Sequence, residues 1–177
     1  MGRTIAFCAA AVARLILIVR LVFNRGDVKQ LFALRFFQHD FIVQAFAEHG
    51  FGLWALERKD TGQFIGFTGL GVVGFDAPFT PAIEIGWRLA REHWGLGYAS
   101  EAAWTALRCG FDRLVLNEVV SFTTVGNLPS QKVMQAIGMH HDPADDFDHP
   151  RLAVDHPLRH HVLYRISREQ WLQTLHG

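Results

Sequence analysis

Cysteine is nearly absent from this 177-residue chain: Cys8 and Cys109 are its only two, far apart and without metal or redox spacing. That excludes a disulfide framework and fits a protein of the reducing cytoplasm. Net charge is lacking as well. Seventeen basic residues balance seventeen acidic ones, so the chain has no excess of the basic side chains that supply most affinity for nucleic acid. A clean apolar run is also missing. Residues 5–23 approach the ~20 apolar residues that span a bilayer, but Arg14 and Arg20 interrupt them. No membrane span is expected. Arg3 followed by Ala11-Val12-Ala13 has a leader-like outline, yet Leu15 to Val22, rich in Leu, Ile and Val, reads more simply as a buried strand. The sequence shows no repeat, low-complexity tract or long linker, which points to one domain over residues 1–177. What is present is half hydrophobic residues and 12% aromatics. This is enough apolar surface to offset the ordering entropy of a folded core and to exclude intrinsic disorder. The aromatic content is also compatible with a homodimer.

Along the chain, Asp27 with Gln30 three residues on marks a helix start, and Phe41, Ile42, Ala45 and Phe46 predict a second short helix ending at Gly50. Leu53 to Arg58, the turn Lys59-Asp60-Thr61-Gly62 and Gln63 to Leu70 predict a hairpin. After a Gly/Pro-containing loop, Ala82 to Leu89 alternates strictly. Ile83, Ile85, Trp87 and Leu89 should face the core, while Glu84, Gly86 and Arg88 share the other face. Ala99, Ala102, Ala103, Ala106, Leu107, Gly110 and Phe111 form the strongest helical stripe. Val119 to Val125 reads as a strand, Asn127-Leu128-Pro129 as a loop, Ser130 to Ile137 as a helix stopped by Gly138, and Val162 to Ile166 as the last strand. Ser167 and Gln170 then open a terminal helix through Trp171 and Leu175.

Chemistry concentrates at the start of the long helix. Gly95-Leu96-Gly97 lets the backbone approach a ligand and aims free amides outward, which suits a phosphate or pyrophosphate. By itself Gly-x-Gly fits a simple turn equally well. The third glycine of a dinucleotide fingerprint and the Lys-Ser/Thr of a P-loop are both lacking. Seven of the ten histidines follow residue 139. With Asp142, Asp145, Asp146 and Asp148, residues His140, His141 and His149 could in principle hold a divalent ion, but the spacing matches no metal signature, and no metal site is assigned. Cys109, within the long helix and without an activating base nearby in sequence, reads as buried and inert.

Taken in order, Glu84-Ile85-Gly86-Trp87-Arg88-Leu89, Trp94-Gly95-Leu96-Gly97-Tyr98-Ala99 with Glu101-Ala102, Asn127-Leu128-Pro129-Ser130 and Gly138-Met139 resemble the GNAT superfamily of N-acetyltransferases. The closer likeness is to its branch of ribosomal-protein N-terminal alanine acetyltransferases. Trp54-Ala55-Leu56, Thr61 to Gly66, Asp146 to Pro150 and His156 to Arg165 fit the same branch, so the likeness covers about residues 50 to 172, leaving residues 1–50 divergent.

The resemblance implies an α+β, acyl-CoA N-acyltransferase fold, with a mixed, mostly antiparallel sheet flanked by helices and two strands, 82–89 and 118–125, splayed to admit acetyl-CoA. It also implies a cofactor site of Leu89, Arg91, Trp94, Gly95, Leu96, Gly97, Tyr98, Ala99 and Asn127. Glu84 would be the base that relieves the acceptor amine of a proton. Ser130 would lie by the cofactor sulfur and donate a proton, or merely cap its helix; Tyr164 is a third possible acid. His161 and Arg159 would shape the pocket for a small-molecule or peptide amine.

Two departures stand out. Glu92 occupies the place of the usual Gln or Arg before the glycines and should face solvent. Met134 occupies the place of the tyrosine that often protonates the departing thiolate. The stretch from Leu17 to Trp54 also looks shorter than usual, although Arg14-Leu15-Ile16-Leu17 resembles the opening strand. Either the acceptor pocket is remodelled or a second subunit completes it. A non-catalytic acyl-CoA-binding module is the alternative function.

Overall fold

The structure, a computed structural model, describes residues 5–7 and 44–175. The readings for 15–22 and for the helix start at 27–30 lie outside these residues, as do Phe41 and Ile42 and the 14–17 opening strand. Residues 44–49 are helical, and Gly50 ends that turn at a φ of 74° with its amide bonded back to the Phe46 carbonyl. Positive φ costs glycine little, which explains the stop at this point.

Among the described residues eight strands form one sheet. β1 (Ile5–Phe7) pairs antiparallel with β2 (Leu53–Arg58), which turns through Gly62 into β3 (Phe64–Val72) and then β4 (Ile83–Leu89). β4 meets β5 (Glu118–Thr124) in parallel, the one parallel contact among the described residues. β5 pairs antiparallel with β8 (His160–Ser167), which also carries the short strands β6 (His140–His141) and β7 (Phe147–Asp148). The mixed, mostly antiparallel sheet expected from the sequence is the sheet observed. The predicted hairpin and third strand fall within two residues of their observed bounds.

Among the described residues three helices cover one face: α1 (Tyr98–Asp112), α2 (Leu128–Ala136) and α3 (Arg168–Thr174). The small residues of α1 allow close docking. Ala102, Ala103 and Ala106 are buried, and a methyl at Gly110 would already stand 3.2 Å from Leu70 and from Leu116. Leu70, Ile85, Leu107, Val119 and Ile166 fill the layer between. Trp171 of α3 closes it, wholly buried and stacked on Phe111 with ring centroids 5.5 Å apart. Ser167 and Gln170 cap α3 reciprocally, as their spacing predicts. α2 begins two residues before the expected start, because Asn127 is its cap and Pro129 suits the first turn, where an amide is not needed.

Candidate active site

β4 and β5 touch at a single residue pair, Glu84 opposite Val120, and part beyond it. The last tie is the Ser121 hydroxyl, which donates to the Ile85 carbonyl at 2.9 Å. Backbone groups alternate edges along a strand, and three bonds fix that alternation. The Ala90 amide donates to Ile65 on β3 at 2.9 Å, and Thr68 of β3 donates to the Gly86 carbonyl at 2.9 Å. The Ile85 carbonyl, by contrast, faces β5. Even-numbered groups of β4 therefore serve β3. The amides of Trp87 and Leu89 point the other way, into the gap between the parted strands.

Directly after β4 the chain makes a short 3₁₀ turn, Arg91–His93, and reaches the glycines. Gly95 and Gly97 stand at φ 70° and 83°, and a Cβ at either would meet no described atom within 4 Å. Gly97 is the N-cap of α1 and offers it no side-chain acceptor. The first amides of a 15-residue helix thus remain available at its positive end, which is the physical requirement for binding an anion. The Trp94 indole anchors the loop by donating to the Leu89 carbonyl at 2.8 Å. Arg91 and Glu92 are both exposed, so Glu92 is free to stand away from that end, as expected.

On the opposite face of the sheet from the helices lies a cleft of about 610 Å³. Gly69 and Gly71 of β3 and Gly86 of β4 are part of it, with Glu84 and Arg88 standing beside them and Glu48 and His49 on the wall. Although Glu84 as a residue is half-buried, the surroundings of its carboxyl are dense. Burial pushes its pKa up to about 7. A carboxylate poised near neutrality can both accept and release a proton.

Ser130 does not cap α2. Asn127 does so, its Oδ1 accepting the Ser130 amide at 3.4 Å while its Nδ2 donates to Thr123 Oγ1 at 2.8 Å. Contact with a cofactor arm would therefore fall to the second lone pair of the Asn127 oxygen or to the second N–H of its amide. The Ser130 hydroxyl has no hydrogen-bond partner among the described residues. Met134 is wholly buried in the core. Tyr164 sits on β8, a strand beyond the gap. It is buried under α2, where its hydroxyl accepts from Gln135 at 3.2 Å and its ring stacks on His141.

Two expectations are corrected or redirected. Cys109 is half-buried rather than buried, and it lines a separate cleft with Trp54, Thr105 and Arg113. Burial pushes its thiol pKa up, which disfavours the reactive thiolate. His161 and Arg159 belong to a neighbouring cluster instead of the cleft: His161 packs against Phe122, Phe147 and His149, and Arg159 pairs with Asp148 at 3.2 Å. The acidic and histidine residues after 139 are dispersed in pairs, His141 with Asp146 at 2.8 Å and Asp145 with Arg165 at 2.6 Å. Among the described residues no three of them converge as metal ligands. Gly71, Gly86, Arg88, Glu48 and His49 were not anticipated as site residues, since their meeting depends on strand register and on a helix packing over it.

A sheet parted beside a glycine-bounded helix start is the layout of the acyl-CoA N-acyltransferase fold. A solved acetyltransferase from Bordetella pertussis described as GNAT-family shares it, with a TM-score of 0.69 over 93% of this chain and 100% of that one at 20% identity. The sequence profile described as "Acetyltransferase (GNAT) domain" matches residues 5–140, and the chain belongs to that family. Among curated relatives, the Bacillus subtilis protein YkkB is 39% identical over 93 residues, 52% of this chain and 53% of that one. The Aspergillus fumigatus FsC-acetyl coenzyme A-N(2)-transacetylase is 33% identical over 130 residues, 70% of this chain and 53% of that one. The chain spans about half the length of these relatives.

Among the described residues no helix is long and apolar enough to cross a membrane.

Proposed function

We propose that this chain is an N-acetyltransferase that uses acetyl-CoA and passes the acetyl group directly to a primary amine, carried by a small molecule or a peptide. The observation that carries the reading is the parting of β4 from β5 between Glu84 and the open N-terminus of α1. The Aspergillus relative, whose name includes acetyl coenzyme A and an N(2) position, supports the same donor and an amine acceptor. The order of motifs supports the ribosomal-protein N-terminal branch as the nearest in kind. It also supports a single acetyltransferase domain over residues 1–177.

The residues fit the donor. The amides from Gly95 to Ala99, with Arg91 nearby, would take the pyrophosphate, and Trp94 fixes their loop. Asn127 would contact the arm. The Leu89 amide, facing the gap, would steady the negative charge that develops on the acyl oxygen. Acetyl-CoA bound there supplies an activated acetyl carbon and a thiolate leaving group. Glu84 takes the proton that the acceptor nitrogen sheds as its bond to that carbon forms. Ser130, whose hydroxyl has no competing partner among the described residues, would return a proton to the sulfur.

A second reading, an acyl-CoA-binding module without turnover, draws on Met134, a buried thioether at the place where related enzymes often carry an acidic hydroxyl. Glu84→Gln separates the two. If the chain is an enzyme, thiol release from acetyl-CoA in the presence of amine should fall about 10²- to 10³-fold. The rise in unfolding temperature with acetyl-CoA should persist. Wild-type protein that is stabilised by acetyl-CoA yet turns over no amine would favour the module. No stabilisation at all would sink both readings.

A further inference from the structure

Among the described residues Thr68 and Ser121 are the only serine or threonine side chains buried in the core, and both serve the same strand. They flank β4, Thr68 from β3 and Ser121 from β5. Each donates at 2.9 Å to one of two consecutive carbonyls, Thr68 to Gly86 and Ser121 to Ile85. Both share the helix-covered face: Thr68 lies opposite Trp87 and two residues before Leu70, and Ser121 lies two residues after Val119. A buried hydroxyl carries a desolvation cost that one hydrogen bond roughly offsets, so neither adds much to the packed layer. Their effect lies in the two peptides they grip.

The register defines what those peptides would otherwise do. With Glu84 opposite Val120 and the Ile85 carbonyl facing β5, the next rung of a parallel ladder joins Gly86 to Phe122. In that rung the Phe122 amide donates to the Ile85 carbonyl and the Trp87 amide to the Phe122 carbonyl. Among the described residues it is not formed. The Ile85 carbonyl takes the Ser121 hydroxyl, and the strands part at this point. On the far side Gly86 and Gly69 are a hydrogen-bonded pair, since the even-numbered groups of β4 face β3, so the Gly86 carbonyl already accepts a ladder amide. Thr68 fills its second lone pair. That carbonyl belongs to the same peptide unit as the Trp87 N–H, and a carbonyl bonded twice makes its own amide a stronger donor.

We propose that Ser121 and Thr68 are positioning residues that hold the gap open for the acyl donor. Ser121 draws the Ile85 carbonyl toward the helix face, out of the plane in which the Phe122 amide would reach it, and so stops the ladder one rung short. Thr68 fixes the next peptide and leaves its amide, that of Trp87, to the carbonyl groups of the donor's arm. This rests on the transferase reading above for what enters the gap, and adds how the gap is kept. Without the Ser121 hydroxyl the ladder lengthens by a rung, which moves the parting point about 7 Å toward Leu89 and consumes the Trp87 amide. The donor then binds only the open fraction of molecules, which weakens its apparent affinity and leaves the chemistry at saturation intact.

Amide hydrogen exchange and acetyl-CoA kinetics test this together. In the ligand-free wild type the Trp87 amide should exchange at least tenfold faster than that of Ile85, which pairs with β5. In Ser121→Ala it should exchange at least tenfold more slowly than in the wild type, as the extra rung forms. KM for acetyl-CoA should rise about tenfold in that variant while kcat at saturation changes less than threefold. Affinity for ADP, which carries a pyrophosphate without the arm, should stay within twofold. Thr68→Val, which keeps the volume and loses the donor, should raise KM for acetyl-CoA at least threefold, and Thr68→Ser should restore it. If the alanine variant does not fold, Ser121→Cys, a weaker donor of similar volume, is measured in its place. Unchanged Trp87 exchange in the Ser121 variant, or equal losses for ADP and acetyl-CoA, would overturn the proposal and leave the transferase reading intact. A wild type that binds neither ligand and turns over no amine would sink that reading and the donor's part in this one, while the exchange comparison still decides whether Ser121 stops the ladder.

Discussion

The two faces of the sheet solve opposite problems. On the helix-covered face, Leu70, Ile85, Val119 and Ile166 have no exposed surface, and the small residues of α1 bring its backbone close enough to exclude water. Dense packing there supplies the free energy of folding. On the other face, β3 and β4 present Gly69, Gly71 and Gly86 around an acidic side chain, a composition that contributes little to stability and raises the cost of ionising Glu84. The strands are the same; the difference lies only in the parity of the residue number. One face holds the fold in place, so that the other can carry glycines and a carboxyl whose ionised form burial disfavours.

The comparison breaks most visibly at Trp171. Replacing it with alanine should cost about 3–5 kcal/mol, because a wholly buried indole between Phe111 and Trp104 leaves a cavity that helices of this length cannot close. Urea unfolding would measure the loss, and a cost below about 1 kcal/mol would show that α3 is dispensable for the packed face.

On the other face Glu84 gives the next largest effect, with a sign set by its raised pKa. The folded chain holds this proton up to about pH 7, whereas the unfolded chain releases it near the ordinary 4.5. Between those values folding takes up a proton, so wild-type stability should fall as pH rises. Above pH 7 the accumulated cost is bounded by about 3 kcal/mol. Glu84→Gln should flatten that decline when unfolding is followed from pH 4.5 to 8. The rate with amine should rise through pH 7 as the carboxylate forms. A pH-independent stability difference would place the carboxyl in water instead.

The smallest contrast lies within one strand. Gly69→Ala should cost about 1–3 kcal/mol, since the added methyl collides with the Gly52 peptide. Gly71→Ala, whose added methyl would meet no described atom within 4 Å, should fall within about 0.5 kcal/mol of wild type. Equal effects would mean that the cleft is closed over Gly71.

Much of this was legible from residue order. The alternation of 82–89 placed Glu84 on the face away from the core, and the alanine stripe with Gly95 and Gly97 located both α1 and its open end. Local patterns reveal local structure. The partners of Glu84 were not legible, because opposing it with Gly71 requires the β3–β4 register and opposing it with Val120 requires pairing across 36 residues. The gap itself is an interruption of pairing, which no strand advertises in its own residues. Asn127 illustrates the same limit in miniature: its side chain caps the following helix, which moved the observed helix start and left Ser130 uncommitted.

The helix starts carry one more consequence. α2 and α3 are closed by their own side chains, Asn127 and Ser167, while α1, the longest, begins at a glycine with nothing to offer. An anion docked there acts as that helix's missing cap, supplied from outside the chain. Affinity for the anion and rigidity of α1 are then one free energy viewed from two ends: whatever tightens binding also stiffens the helix that organises the core. Occupancy of that one helix end would therefore be read out as stability of the whole packed face.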